Sequence, residues 1–386
     1  MKRNAVKPSV VSLFTCGMGM DIGFEKAGFT IKYTNDIASF ACNTIRKMRP
    51  NIICDEGDIS KIRTSTILKK IHLKKGEVDV VIGGPPCQPF STAGPRNGFE
   101  AKNGHALLEF IRIIREVRPK MFVFENVSGL KSAAKKHRSF YKRITQKKIA
   151  KKYQLGSLFE YICKKFEKID GYNIDWDILN AADYGVAQKR KRLILIGSRI
   201  CDTKIIFDEL KSKSKYADPK KAKEQKKRNW RTLGDEIFDI NDPRKEHTNF
   251  PRWKKYLEYV PPGGCWLDLP KNLQRKAMGG AANTNDPKRK GKQGGRTGFY
   301  RRLSWDKPCP TLVTSPTQLG TCLCHPDEVR PLTVKEYAKI QGFPNNWKFQ
   351  GSTTKKYRMI GEAMPIKLSK TIAGIVKTYV KENRLK

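Results

Sequence analysis

A chain of 386 residues with 38% hydrophobic content can bury a full core and divide into one large and one smaller domain. Its 78 Lys and Arg against 37 Asp and Glu leave a formal net charge of +41, which points to a polyanionic partner, nucleic acid above all. No apolar run approaches the ~20 residues that cross a membrane, the ten cysteines show no paired spacing, and no secretory leader is expected. A reducing cytoplasm with free thiols is therefore the expected compartment. Cys309, Cys322, Cys324 and His325 fall near one another but lack the second close pair of a zinc site, so no metal is expected.

In chain order, 9–14 reads as a buried strand running into the small-residue turn Thr15-Cys16-Gly17-Met18-Gly19 and then a helix. Strand, glycine turn and helix bring backbone N–H groups and a helix N-terminus toward a nucleotide-like ligand. A second strand over 29–34 ends at Asn35-Asp36. An acidic residue there accepts from ribose hydroxyls, or simply caps the helix expected over 37–48. Gly57-Asp58-Ile59 follows a short extended stretch and offers a carboxylate to an adenine amine beside an apolar contact.

Val78, Val80, Val81 and Ile82 form a strand that opens into Gly83-Gly84-Pro85-Pro86-Cys87-Gln88-Pro89-Phe90-Ser91. The glycines permit a tight turn and close approach of a ligand, and the prolines stiffen the loop. What the rigid turn presents is the Cys87 thiol, placed at a strand end as a nucleophile would be. A lone cysteine would read as structural; the nine-residue setting favours catalysis.

A helix over 105–117, ended by Pro119, leads to a strand over 121–124 with Glu125-Asn126-Val127 at its end. Residues 131–155 carry ten Lys and Arg and no acid, either a solvated face or a surface along a phosphate backbone. The run from Tyr184 to Arg192, ending Gln188-Lys189-Arg190-Lys191-Arg192, enters a strand over 193–197, so alternate basic side chains must point inward. From 211 the composition shifts: 211–231 holds ten Lys and Arg against two acids, and 240–300 is loop-like, rich in Gly, Pro, Asn and Trp. Thr333-x-x-Glu336 is a capping box, and an amphipathic helix closes the chain over 367–381.

Together these segments resemble the cytosine-C5 DNA methyltransferases over nearly all of the chain outside 200–300. Pro85-Pro86-Cys87-Gln88 resembles that family's catalytic loop, Phe124-Glu125-Asn126-Val127 its Glu-Asn-Val motif, and Gln188-x-Arg190-x-Arg192 its Gln-x-Arg-x-Arg motif. Arg302-Leu303 through Pro310-Thr311-Leu312, Gln341-Gly342-Phe343-Pro344 and Gly361-Glu362-Ala363-Met364-Pro365 are similar to its later motifs. Order and spacing together are specific, where each tripeptide alone is not. The chain departs from the pattern at Cys16 and Met18, where glycines are common. It departs again at Asp36 for a longer Glu, Ile37 for an aromatic and Glu362 for Asn.

The resemblance implies a class I S-adenosylmethionine-dependent methyltransferase, an α/β Rossmann-like mixed sheet with a small, loop-rich target-recognition domain. Boundaries are expected at 1–230 (catalytic), 231–300 (recognition) and 301–386 (return to the catalytic domain). It implies Cys87 adding to C6 of a flipped cytosine, Glu125 at N3 and the exocyclic amine, and Arg192 with Arg190 at O2. Phe14, Gly17, Gly19, Asp36, Ile37, Asp58, Ile59 and Pro86 are the implied contacts of S-adenosylmethionine, and Gln88 and Ser91 those of DNA. The implied substrate is double-stranded DNA, methylated by a monomer serving restriction–modification beside an endonuclease that reads the same site. A tRNA methyltransferase of this family would carry a Cys-Phe-Thr tripeptide, which the chain lacks. A catalytically inactive DNA-binding homologue is the rival of another class; intact Cys87, Glu125, Arg190 and Arg192 argue against it.

Overall fold

Ser9–Leu13 (β1) is buried at every position, as a strand covered on both faces must be. The same reasoning accounts for Val80–Gly83 (β4), where the apolar run is likewise buried throughout. The computed structural model describes residues 6–86, 102–135, 150–278 and 298–385. The chain divides into a first unit of 1–184, 191–215 and 364–386, and a second of 185–190 and 216–363. The expected recognition segment, 231–300, falls wholly within the second unit, which also takes in 216–230 and 301–363.

The first unit is built on a seven-stranded sheet. Its other strands are Thr30–Asp36 (β2), Ile53–Glu56 (β3), Met121–Val127 (β5), Asn173–Asn180 (β6) and Lys191–Ser198 (β7), in the order β3-β2-β1-β4-β5-β7-β6. The first five strands of that order run parallel, and β7 pairs antiparallel with both β5 and β6. This is the expected mixed α/β sheet. One core cluster joins Val11 and Leu13 to Phe110, Phe122, Phe124 and Phe166. β6 and the helix Ser157–Glu167 were not among the expected elements, although Ile174, Trp176 and Ile178 alternate as a half-buried edge strand should.

Helix Gly19–Ala27 (α1) packs against the C-terminal helix Ile366–Leu385 closely enough that Gly23 can be no other residue. A Cβ there would lie 2.4 Å from Cβ of Ser369. The Ser369 hydroxyl donates to the Met20 carbonyl at 2.7 Å. The return of the chain after 363 therefore seals the first helix of the sheet.

In the second unit, the expected capping box forms: Thr333 Oγ1 accepts from the Glu336 N–H and Glu336 Oε2 from the Thr333 N–H at the start of Val334–Gln341. No periodic core is legible in 240–300, yet one exists. Leu257, Val260, Trp266 and Tyr300 pack with Cys322 and Cys324, and Trp253 and Tyr256 meet the Tyr300 ring edge-on. Burial pushes the Cys324 thiol up to about 11, as befits a cysteine serving as a small hydrophobe.

Candidate active site

Strand order reverses at β1, with β2 and β3 to one side and β4 onward to the other. Ligands of open parallel sheets bind at the carboxyl edge beside such a reversal. Leu13 pairs with Gly83, and Gly83 with Phe124. The turn after β1, the Gly84-Pro85-Pro86 segment and Glu125-Asn126-Val127 therefore open side by side. Because β7 runs antiparallel to β5, with Arg192 opposite Val127, its first residues reach the same edge.

There Arg192 Nε lies 2.7 Å from Glu125 Oε1, both side chains nearly buried at 9% and 12% exposure. A charge-assisted pair so shielded from water is held far more firmly than a surface pair. Gly84 passes directly over it: a methyl group on Gly84 would sit 2.7 Å from Glu125 Oε2. Asn126, which the sequence reading did not single out, ties the strand end to the loop. Its Nδ2 donates to the Pro85 carbonyl at 3.1 Å and its Oδ1 accepts from the Val127 N–H at 3.0 Å. The signal was present in its place between Glu125 and Val127 at the end of an apolar run. Cys87, Gln88 and Ser91 lie outside the described residues; Pro86, exposed, is the last residue before them.

The turn after β1 is held in an unusual backbone. Phe14, Cys16 and Met18 all take left-handed φ values, 56°, 47° and 66°, each costing an L-residue about 1 kcal/mol. The glycine-type conformation is kept without glycine at those positions. Asp36 braces it: Oδ2 accepts from the Cys16 N–H and Oδ1 from the Ala38 N–H, both at 2.8 Å. That second bond delays helix Ser39–Met48 beyond its expected start at 37. Ile37 is thrown outward, 71% exposed. Gly17 and Gly19 are buried within the turn, and Phe14 is half-buried.

Asp58 is exposed and accepts from the Ser60 N–H at 2.9 Å, a bond that holds its carboxyl below the usual range. Ile59 points the other way: it is 3% exposed and belongs to the hydrophobic core.

Arg190 and Arg192 are two residues apart, but they do different work. Arg190 is fully buried in the second unit, where its guanidinium donates to the carbonyls of Leu312 at 2.7 Å and Gly361 at 2.6 Å. Gln188 Oε1 accepts from the Leu312 N–H at 3.0 Å, and its Nε2 donates to Gln341 Oε1 at 2.7 Å. Gln341 in turn donates to the carbonyls of Ile360 and Ala363. Motif residues far apart in sequence thus satisfy one another's buried polar groups. Among the described residues no cluster of His, Cys, Asp and Glu is placed to hold a metal ion. His325 Nδ1 is instead taken by the N–H groups of Asp327 and Glu328 at 3.2 Å.

Residues 9–378 match the family model of the C-5 cytosine-specific DNA methylases. The chain is similar to the Type II methyltransferase M.Eco47II of Escherichia coli, 37% identical over 365 residues covering 94% of this chain and 76% of the relative. It is similar as well to the Type II methyltransferase M.Sau96I of Staphylococcus aureus, 35% identical over 375 residues covering 97% and 76%. Among solved structures the fold is similar to the Dnmt2 methyltransferase of S. pombe, with a TM-score of 0.61 at 14% identity over 98% of this chain and 99% of that one.

Proposed function

The chain belongs to the C-5 cytosine-specific DNA methylases, and from that premise we propose how its own residues carry methyl transfer to cytosine C5 in double-stranded DNA. Cytosine C5 is a weak nucleophile, so a nucleophile must first add at C6. The Cys87 thiolate does this once the target cytosine has left the base stack. Glu125 binds N3 and the exocyclic amine, and neutralises charge there as the ring becomes an enamine. Arg192 keeps the Glu125 carboxylate oriented and meets the base at O2. The observation that carries this reading is the shielded Glu125–Arg192 pair at the carboxyl edge, beneath the glycine that leads into the Cys87 loop. Arg190 belongs to the scaffold rather than to the reacting base, because two backbone carbonyls already engage its guanidinium.

When bound, S-adenosylmethionine supplies an electrophilic methyl group. The donor set of the first turn fits it. The half-buried Asp36 carboxylate sits at the end of β2 where ribose hydroxyls need an acceptor, and exposed Ile37 beside it offers an apolar face to the adenine. Asp58 receives the adenine amine, and Phe14, Gly17, Gly19 and Pro86 frame the ligand, while Ile59 supports them from the core. Gln88 and Ser91 contact DNA. Sequence reading is assigned to 231–300, within the second unit. The enzyme acts as a monomer in the cytoplasm, beside an endonuclease of the same specificity; the Type II names of its relatives support that pairing.

Bisulfite sequencing of DNA from cells expressing the chain tests this reading. One methylated motif, lost in Cys87→Ser, is expected. Methylation that survives Cys87→Ser would overturn the covalent route, and DNA binding without methylation would favour an inactive homologue.

A further inference from the structure

Among the described residues, Asp21 is the carboxylate with both oxygens buried and without a hydrogen-bond partner. It is 1% exposed and lies in the first turn of α1, directly behind the Gly17–Gly19 turn. Among the described residues, the groups that act most strongly on it include no cation. From β1 comes the Ser12 hydroxyl, which is bonded to the Thr15 hydroxyl at 3.1 Å. From β3 comes the Cys54 thiol, and from α1 itself Glu25, already paired with Arg49 at 2.9 Å. The C-terminal helix packed on α1 brings Ser369, committed to the Met20 carbonyl. Of its lysines, Lys367 and Lys370 act on Lys26, and Lys377 is bonded to the Ala27 carbonyl. Burial pushes the Asp21 carboxyl up to about 7, and nearby Ser12 only partly offsets it. A carboxylate so poised changes charge on a small stimulus.

We propose that Asp21 is a positioning charge of the methyl-donor site, ionised while the cationic sulfonium cofactor is bound and protonated when the neutral thioether product replaces it. The inference rests on the reading of the 14–19 turn as the cofactor site. The protons balance over a cycle: the carboxyl releases one to solvent as the sulfonium enters and recovers one after the sulfonium has become a thioether. S-Adenosylmethionine and S-adenosylhomocysteine share their amino and carboxylate groups, so those cancel in any comparison of the two ligands. The consequence is selective. Product inhibition weakens as pH rises through neutrality.

Isothermal titration calorimetry of the full chain, in two buffers of different ionisation enthalpy, reads the effect without turnover. If the cation lowers the Asp21 pKa by about one unit, binding of S-adenosylmethionine at pH 7 releases about 0.4 proton more than binding of S-adenosylhomocysteine. The affinity ratio of the two ligands then rises about eightfold between pH 5.5 and 8.5. Asp21→Asn flattens that ratio, whereas Cys54→Ser, which removes the other group held at about 7, leaves it intact. Equal proton release for both ligands, or a ratio independent of pH, overturns the proposal. That comparison uses the wild-type chain alone and stands even if Asp21→Asn does not fold. Failure of either ligand to bind at any pH would instead refute the cofactor reading of the turn.

Discussion

Replacing Asp21 by Asn in the ligand-free protein separates the electrostatics of this site from its chemistry. The folded-state carboxyl is raised from 3.8 to about 7 by burial. The folded protein therefore binds more protons than the unfolded chain between those values, and stability falls as pH rises through that window. Below about pH 4 the carboxyl is neutral in both states and burial carries no charge penalty. Above pH 7 the full penalty applies: 3.2 units at 1.36 kcal/mol each, about 4 kcal/mol. Asparagine is never charged but brings amide hydrogens that also lack partners, at about 1–3 kcal/mol. That second cost does not vary with pH. The diagnostic quantity is thus the change in ΔΔG with pH, not its sign at one pH. Urea unfolding of both proteins from pH 4 to 9 should show the variant gaining about 4 kcal/mol relative to wild type, nearly all between pH 4 and 7.5. A ΔΔG independent of pH would show that Asp21 is solvated or paired in solution, and would remove the basis for its coupling to the cofactor.

Four further outcomes follow from the site geometry. Arg192→Met leaves the Glu125 carboxylate nearly buried without its cation. It should destabilise the protein by about 3–5 kcal/mol; paired urea titrations of the variant and the wild type check it. Gly84→Ala drives a methyl group into Glu125 Oε2. Methyl transfer should fall at least ~10-fold for a stability loss of about 1–3 kcal/mol, measured by labelled methyl incorporation beside thermal melts. Cys16→Gly relieves a left-handed residue and should be neutral or stabilising by up to ~1 kcal/mol. Met18→Gly relieves the same strain but deletes a fully buried side chain worth about 2–5 kcal/mol, so it should destabilise; calorimetric Tm values of the two variants distinguish them.

Much of the first unit is legible in the sequence. Its central strands are short continuous apolar runs, because a parallel strand buried on both faces tolerates little else. The breaks between them, Gly17 to Gly19 and Gly83 to Pro86, mark the strand ends where ligand-binding loops must open. The half-buried edge strand β6 was harder to see, since only alternate residues report on the core. In the second unit no helical or strand period organises 240–300. Its core is made by scattered aromatics and buried thiols from distant loops, and such a pattern has no local signature.

The residue types of the site, a thiol, a carboxylate and guanidinium groups at strand ends, were determined by the sequence, because backbone punctuation and side-chain chemistry are local properties. Which guanidinium meets which partner was decided only in three dimensions. Spacing alone puts Arg190 and Arg192 on one face, but β7 begins between them, at Lys191. Antiparallel pairing then carries Arg192 to Glu125, while Arg190 closes on carbonyls more than a hundred residues away. Asp21 is the sharper case. A carboxylate in the first turn of a helix reads from sequence as a favourable, solvated charge; only the packing of α1 against β2 and the C-terminal helix makes it a buried group poised near neutrality.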